Sequence, residues 1–292
     1  MKTRYFLLAV AALVSQAFAG TPTIVAPAMD GTLKKTPMLS AKRLSGSMTA
    51  GYASNYTSRG IVASHALAEG DSAEHIAVDL SYDIGRPGYF TIENHTAYTV
   101  VSSGHHLMGA RGLNFENELV IETSLRYAMK KSFVSVGHQF THGGLLGALA
   151  KHDKGEGASV VNELFVAAGI NPTSWLELGV KLSYGTQGMK GWWLEPYAKG
   201  SWTLVGTAEK PTLDIVAMAG LTATSGNFGT YDVQSDGAQS WWIAVALPWH
   251  VTDSLILTPI LSLNWLGEGA QNNGGLYRNH GIVGSVNATY IF

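Results

Sequence analysis

Only 14% of the 292 residues are charged, against roughly 25% in soluble domains, while Gly (34), Tyr (12) and Trp (8) are plentiful. A near-balanced 19 Lys+Arg against 21 Asp+Glu excludes an electrostatic nucleic-acid binder, and the absence of Cys excludes a disulfide scaffold. No apolar run beyond the N-terminus approaches the roughly 18 residues of a membrane helix, so the chain is either soluble or a membrane protein of the other permitted kind, a closed β-barrel.

Lys2 and Arg4 precede an uncharged apolar run and Ala17-Phe18-Ala19, a small-x-small cleavage site, so residues 1–19 read as a secretory signal peptide. A membrane anchor is the competing reading, but the run is about half the length a helix needs to cross. Removing Lys2 and Arg4 leaves 17 basic against 21 acidic residues, a formal charge of −4. Residues 20–45 hold Pro22, Pro27 and Pro37 without period-two alternation and are expected to form a periplasmic tail or partial plug; residues 46–292 form one domain.

That domain parses into twelve alternating segments, the period of a strand whose two faces meet different surroundings. Residues 48–59 set Tyr52 and Tyr56 against Thr49, Asn55, Thr57 and Arg59. Residues 74–84 set Ile76, Val78, Leu80, Tyr82 and Ile84 against Ala77, Asp79, Ser81 and Asp83, and the chain turns at Gly85-Arg86-Pro87-Gly88. Segments follow at 89–101, 115–129, 133–141, 160–170, 175–184, 192–204, 213–223, 239–249, 255–265 and 281–292. The predicted fold is all-β, a closed antiparallel up-and-down transmembrane barrel.

Connection lengths support this plan, because outer-membrane barrels have short periplasmic turns and longer outer loops. Connections at 85–88, 130–132, 171–174, 205–212 and 250–254 are short; those at 60–73, 102–114, 142–159, 224–238 and 266–280 are long. Only 185–191 is ambiguous. Aromatics fall in two groups, with Tyr82, Phe90, Tyr127, Phe133, Trp175, Trp202, Trp249 and Tyr290 beside the short turns, and Tyr56, Tyr98, Phe140, Tyr184, Trp192, Trp241 and Trp265 at the opposite ends. Two girdles suit two lipid interfaces, whereas a soluble sandwich or lipocalin-like barrel would carry more charge outside.

With apolar residues facing lipid, the charged ones face the lumen: acids Asp79, Asp83, Glu93, Glu116, Glu118, Glu122, Glu163, Glu177, Glu195 and Asp214, and bases Arg59, Arg126, Lys181 and Lys199. Ten acids against four bases predict a net-acidic interior that favours cations and neutral polar solutes. The competing expectation is a filled barrel whose charges satisfy one another, since twelve strands lie between filled eight-stranded barrels and open porins.

No enzymatic constellation and no cofactor is expected. His138 and His142 lie four residues apart on one strand, roughly 13 Å, too far for one metal ion, and His105-His106 falls in a predicted loop. No strand carries a His-x-Ser pair or loop-proximal paired acids. His138, Asn94 and Thr96 fall on the lipid register, which a bulge, a misread register or a subunit contact would explain and which leaves a homo-oligomer open.

The last segment alternates Ile282, Val286, Tyr290 and Phe292 with Ser285, Asn287 and Thr289. It resembles the terminal strand of bacterial outer-membrane barrels, whose final Phe serves as an assembly signal, so Tyr290 and Phe292 are expected to address the barrel-assembly machinery. The segment Gly51-Tyr52-Ala53-Ser54-Asn55-Tyr56-Thr57-Ser58-Arg59-Gly60-Ile61 resembles the opening of the TorF-like porin family, a Tyr-x-x-Arg-Gly-Ile strand, with Tyr56, Arg59, Gly60 and Ile61 in the matching positions. The resemblance implies a channel in a Gram-negative outer membrane, passing small polar solutes, with Arg59 near the outer rim. A closed barrel acting through its long outer loops, and an outer-membrane enzyme, are the rival expectations.

Overall fold

The computed structural model describes residues 44–54, 57–58, 61–62, 72–84, 89–102, 116–143, 160–187, 191–208, 210–225, 237–267 and 280–292. The expected signal peptide, most of the expected tail, Tyr56, Arg59, Gly60, His105-His106 and most of the long connections lie outside these residues, as does the side chain of Glu116.

Fifteen strands occur among the described residues: β1 (Leu44–Ala53), β2 (Thr57–Ser58), β3 (Ile61–Val62), β4 (Ser72–Ile84), β5 (Phe90–Ser102), β6 (Glu116–Ala128), β7 (Ser132–Gly143), β8 (Val160–Ile170), β9 (Leu176–Gln187), β10 (Gly191–Gly206), β11 (Pro211–Ser225), β12 (Gly237–Ala246), β13 (Trp249–His250), β14 (Leu255–Leu266) and β15 (His280–Ile291). Strands β2 and β3 pair only with each other. Each remaining strand pairs antiparallel with its neighbour in the chain, β13 continuing the line of β12 past Leu247-Pro248, and β1 pairs with β15 to close a twelve-stranded barrel. Closure leaves no exposed edge in this sheet, and its strands make their hydrogen bonds within the wall.

The closing seam runs from Ser47 opposite Ile291 to Ala53 opposite Ser285. At its end Phe292 N–H donates to Gly46 O (3.0 Å) and Gly46 N–H to Phe292 O (3.3 Å). A Cβ at Gly46 would lie 2.8 Å from the Phe292 ring, so the seam needs glycine there. The first strand therefore begins at Leu44, earlier than its alternation suggests, and ends at Ala53; Thr57 and Ser58, expected in the same strand, belong to the separate β2–β3 hairpin.

The period-two pattern becomes two surfaces. On β4, Ile76, Leu80, Tyr82 and Ile84 are exposed outward, whereas Ala73, His75 and Ala77 are buried inside. Most large apolar side chains stand on the outer surface, Ile282 at 66% and Leu261 at 54% exposure, the inverse of a soluble core. The outer aromatics form pairs near each end: Trp175 stacks on Trp202 at 5.4 Å and Phe90 meets Tyr127 at 4.7 Å beside the short turns, while Tyr184 meets Trp192 at 4.7 Å at the other end. Phe133 corrects the expected girdle. It lies inside, 6% exposed, because position 133 shares the inward parity of Ser135, Gln139 and Thr141.

Candidate functional site: the barrel lumen

Residues that pair across antiparallel strands share a face, so register alone gathers the polar side chains along the axis. Asp79, His95, Glu122, Gln139 and Glu163 stand side by side on β4 to β8. Glu195 of β10 stands opposite Lys181 of β9, and Lys199 opposite Glu177. Glu93 lies one inward position from Asp79's row, Glu118 two inward positions from it toward the long connections, and Asp83 and Asp214 close to the short turns. Asp79, Asp83, Glu93, Glu118, Glu122, Glu163, Glu177, Glu195 and Asp214 thus point inward, as do Arg126, Lys181 and Lys199. Of these described residues nine are acids and three are Lys or Arg.

Side-chain contacts reach across more than one strand. Lys181 on β9 donates to Glu122 on β6 (Nζ to Oε2, 2.6 Å) and to Gln139 on β7 (3.3 Å), and its ammonium lies 4.2 Å from the centre of the Phe165 ring. Arg126 sits 3.5 Å from Glu93 and 4.0 Å over the Phe133 ring. Tyr197 donates to Glu177 (2.8 Å), its ring lying over Gly179, where any side chain would collide with it. Wall curvature brings these inner groups together, and a charge kept from water in this way needs its partner.

Two kinds of lumen wall result. From β5 to β10 it is charged and aromatic, with Trp193 fully buried. From β11 to β1 it is largely hydroxyls and amides, Thr222, Ser240, Thr258, Ser262, Asn264, Ser285, Asn287, Thr289 and Ser47, interspersed with buried Val216, Trp242, Ile256 and Val283, with Asp214 the one carboxylate among the described residues there. Asp214 meets His250 at 3.1 Å, while its Oδ1 and the Oδ1 of Asn287 are buried without a hydrogen-bond partner among the described residues.

Burial takes Glu118, Glu122, Glu163, Glu195 and Asp214 as well as all three bases, so the inner charges that keep access to solvent are acids. The side chain of Asp79 is 42% exposed and that of Glu93 34%, whereas Arg126 and Lys181 are 8% and 10% exposed and Lys199 is buried. Alternation could not reveal this division, nor could it single out His75, His95, Gln139, Tyr197 and His250, which carry or neighbour the charged contacts. Ser47, Asp79 and His95 lie together, but Ser47 Oγ (3.1 Å) and His95 Nδ1 (2.6 Å) both address the same carboxylate, so the imidazole does not face the hydroxyl it would have to activate. Among the described residues no group of three His, Asp or Glu is placed to hold a metal ion.

Solved structures with the same architecture include an outer membrane channel from Pseudomonas putida F1, 11% identical, with a TM-score of 0.52 over 85% of this chain and 95% of that one. The chain shares the closed antiparallel β-barrel fold of that channel. The KdgM porin (10% identity, TM-score 0.47, 84% of this chain and 99% of that chain) and the NanC porin (12%, 0.47, 84% and 98%) also align with the barrel. At such identity the likeness is one of fold. No protein-family profile matches the chain, and no curated protein sequence matches it.

Proposed function

We propose that the porin-like barrel is a passive outer-membrane channel passing small polar solutes through a narrow, net-acidic lumen, with cations favoured over anions. The observation that carries this reading is which inner charges keep access to solvent: Asp79 and Glu93 do, while Arg126, Lys181 and Lys199 are buried together with Glu118, Glu122, Glu163, Glu195 and Asp214. A mobile ion is attracted by the charge it can approach, so accessible carboxylates over sequestered bases favour cations. The opposite wall of hydroxyl and amide groups suits neutral polar solutes, which exchange hydrogen bonds with it at little cost. Resemblance of the segment 51–61 to the TorF-like porins and the fold shared with a Pseudomonas putida channel agree with this reading. Outer-membrane placement, export through residues 1–19 and recognition of Tyr290 and Phe292 by the assembly machinery belong to the same proposal.

Reconstitution into a planar bilayer tests it. Stepwise conductance, with a reversal potential of cation-selective sign in a salt gradient, is the expected result; silence at high protein load, or anion selectivity, overturns it. One observation favours a second reading, a closed barrel with a structural or surface-interaction role. Glu163 and Asp214 are each 2% exposed, which supports a barrel partly filled by side chains.

A further inference from the structure

One outer patch breaks the apolar pattern. On β5 the outward residues in order are Phe90, Ile92, Asn94, Thr96 and Tyr98, so Asn94 and Thr96 lie midway between the two aromatic groups. Thr123 stands beside Asn94, and His138 beside Thr123. Asn94 donates to Thr123 Oγ1 (3.0 Å) and to Glu122 O (3.3 Å), and Thr96 donates to Asn94 Oδ1 (3.1 Å). His138 Nε2 meets Asn162 Oδ1 at 3.0 Å, and Asn162 Nδ2 donates to Gln187 (2.9 Å). The β4–β5, β5–β6, β6–β7 and β7–β8 registers run without a shift, so neither bulge nor slippage puts Asn94, Thr123 and His138 outside.

Half of the hydrogen-bonding capacity at the centre of the patch is unused within the barrel. Among the described residues, nothing meets His138 Nδ1, and the Thr123 hydroxyl accepts from Asn94 without donating in turn. In hydrocarbon an unmatched donor and an unmatched acceptor are each costly. Elsewhere at this depth the described outer face is apolar: Leu80 and Val78 on β4, Leu182 and Val180 on β9, Ile243 on β12 and Leu261 on β14.

From this we infer that the β5–β8 face is a contact between two copies of this chain, related by a two-fold axis in the bilayer near Thr123 and His138. A head-to-tail contact needs a second, complementary polar patch at the same depth, and among the described residues the outer wall has none there; a patch that carries both an unused donor and an unused acceptor is complementary to itself. Four adjacent strands span roughly 14 Å, with Ile92, Leu125, Val136 and Leu164 supplying an apolar surround. This inference rests on the outer surface meeting lipid, not on conduction.

The chain has no Cys, so single cysteines report proximity without background. The full chain is refolded into vesicles as Thr123→Cys, or as Ile243→Cys on the opposite wall, and oxidised; heat-dependent gel mobility confirms a folded barrel in each sample. The expected result is a disulfide dimer from Thr123→Cys at least ~10-fold in excess over Ile243→Cys, falling to the Ile243→Cys level when Asn94→Leu and His138→Leu are added. Equal cross-linking at the two sites, or cross-linking indifferent to those leucines, overturns the two-fold contact, and so does a monomer mass in solution with lipid or another protein on the patch. Loss of the mobility shift would instead count against the membrane barrel.

Discussion

Lys181→Met tests how dry the lumen is at mid-height. At 2.6 Å and an effective dielectric constant of about 20, the attraction between Lys181 and Glu122 is about 6 kcal/mol, which desolvation of the two ions largely offsets. The intact pair therefore adds little net stability, but removing the ammonium leaves Glu122, with a side chain 9% exposed, without its countercharge. The expected cost is ~3–5 kcal/mol, and the double substitution Lys181→Met with Glu122→Gln recovers all but about 1 kcal/mol of it. Urea unfolding of the refolded barrel, followed by tryptophan fluorescence, measures both. A single substitution costing under ~1 kcal/mol, the range of a solvated pair, would show that water fills this level and would refute the sealed network.

Leu261→Arg, on the outer face of β14, is expected to destabilise the barrel in vesicles by ~2–4 kcal/mol, because the bilayer midplane excludes its charge; urea titration that finds no change would refute the lipid-facing assignment. Asp79→Asn with Glu93→Gln removes two accessible carboxylates of the proposed acidic lumen, so the reversal potential in a salt gradient should move toward zero, whereas Glu163→Gln, at 2% exposure, should leave it within error. Phe292→Ala should lower the amount of heat-modifiable barrel in the outer membrane several-fold while refolding in detergent still succeeds; an unchanged amount in both settings would remove Phe292 from the role of assembly signal.

Strand register was legible in the sequence because each wall residue answers to lipid or to lumen, and the alternation of Ile76 with Ala77 or Leu178 with Gly179 records which. The inward placement of Glu118, Glu122, Lys181 and Asp214 follows from the same parity. Phe133 stands beside a short turn, where a girdle aromatic would, but its parity turns it inside, so parity is the stronger guide than nearness to a turn. The limits of the first strand were not legible. Gly46 belongs to it through contacts with Phe292, and no local pattern announces a partner that far along the chain. Contacts such as Lys181 to Glu122, two strands beyond a neighbour, arise from curvature, which alternation does not encode.

The seam sets a timetable for biogenesis. Thr49 and Thr289 touch at 3.0 Å although 240 positions separate them, so closure waits for nearly all of the polypeptide to be delivered. Until then the growing sheet has two raw margins, one at β1 and one at the newest hairpin, each able to recruit a stranger's strand. Shielding those margins falls to whatever escorts the nascent protein, and a translation product broken off before residue 280 would be permanently sticky along the side where β15 belongs.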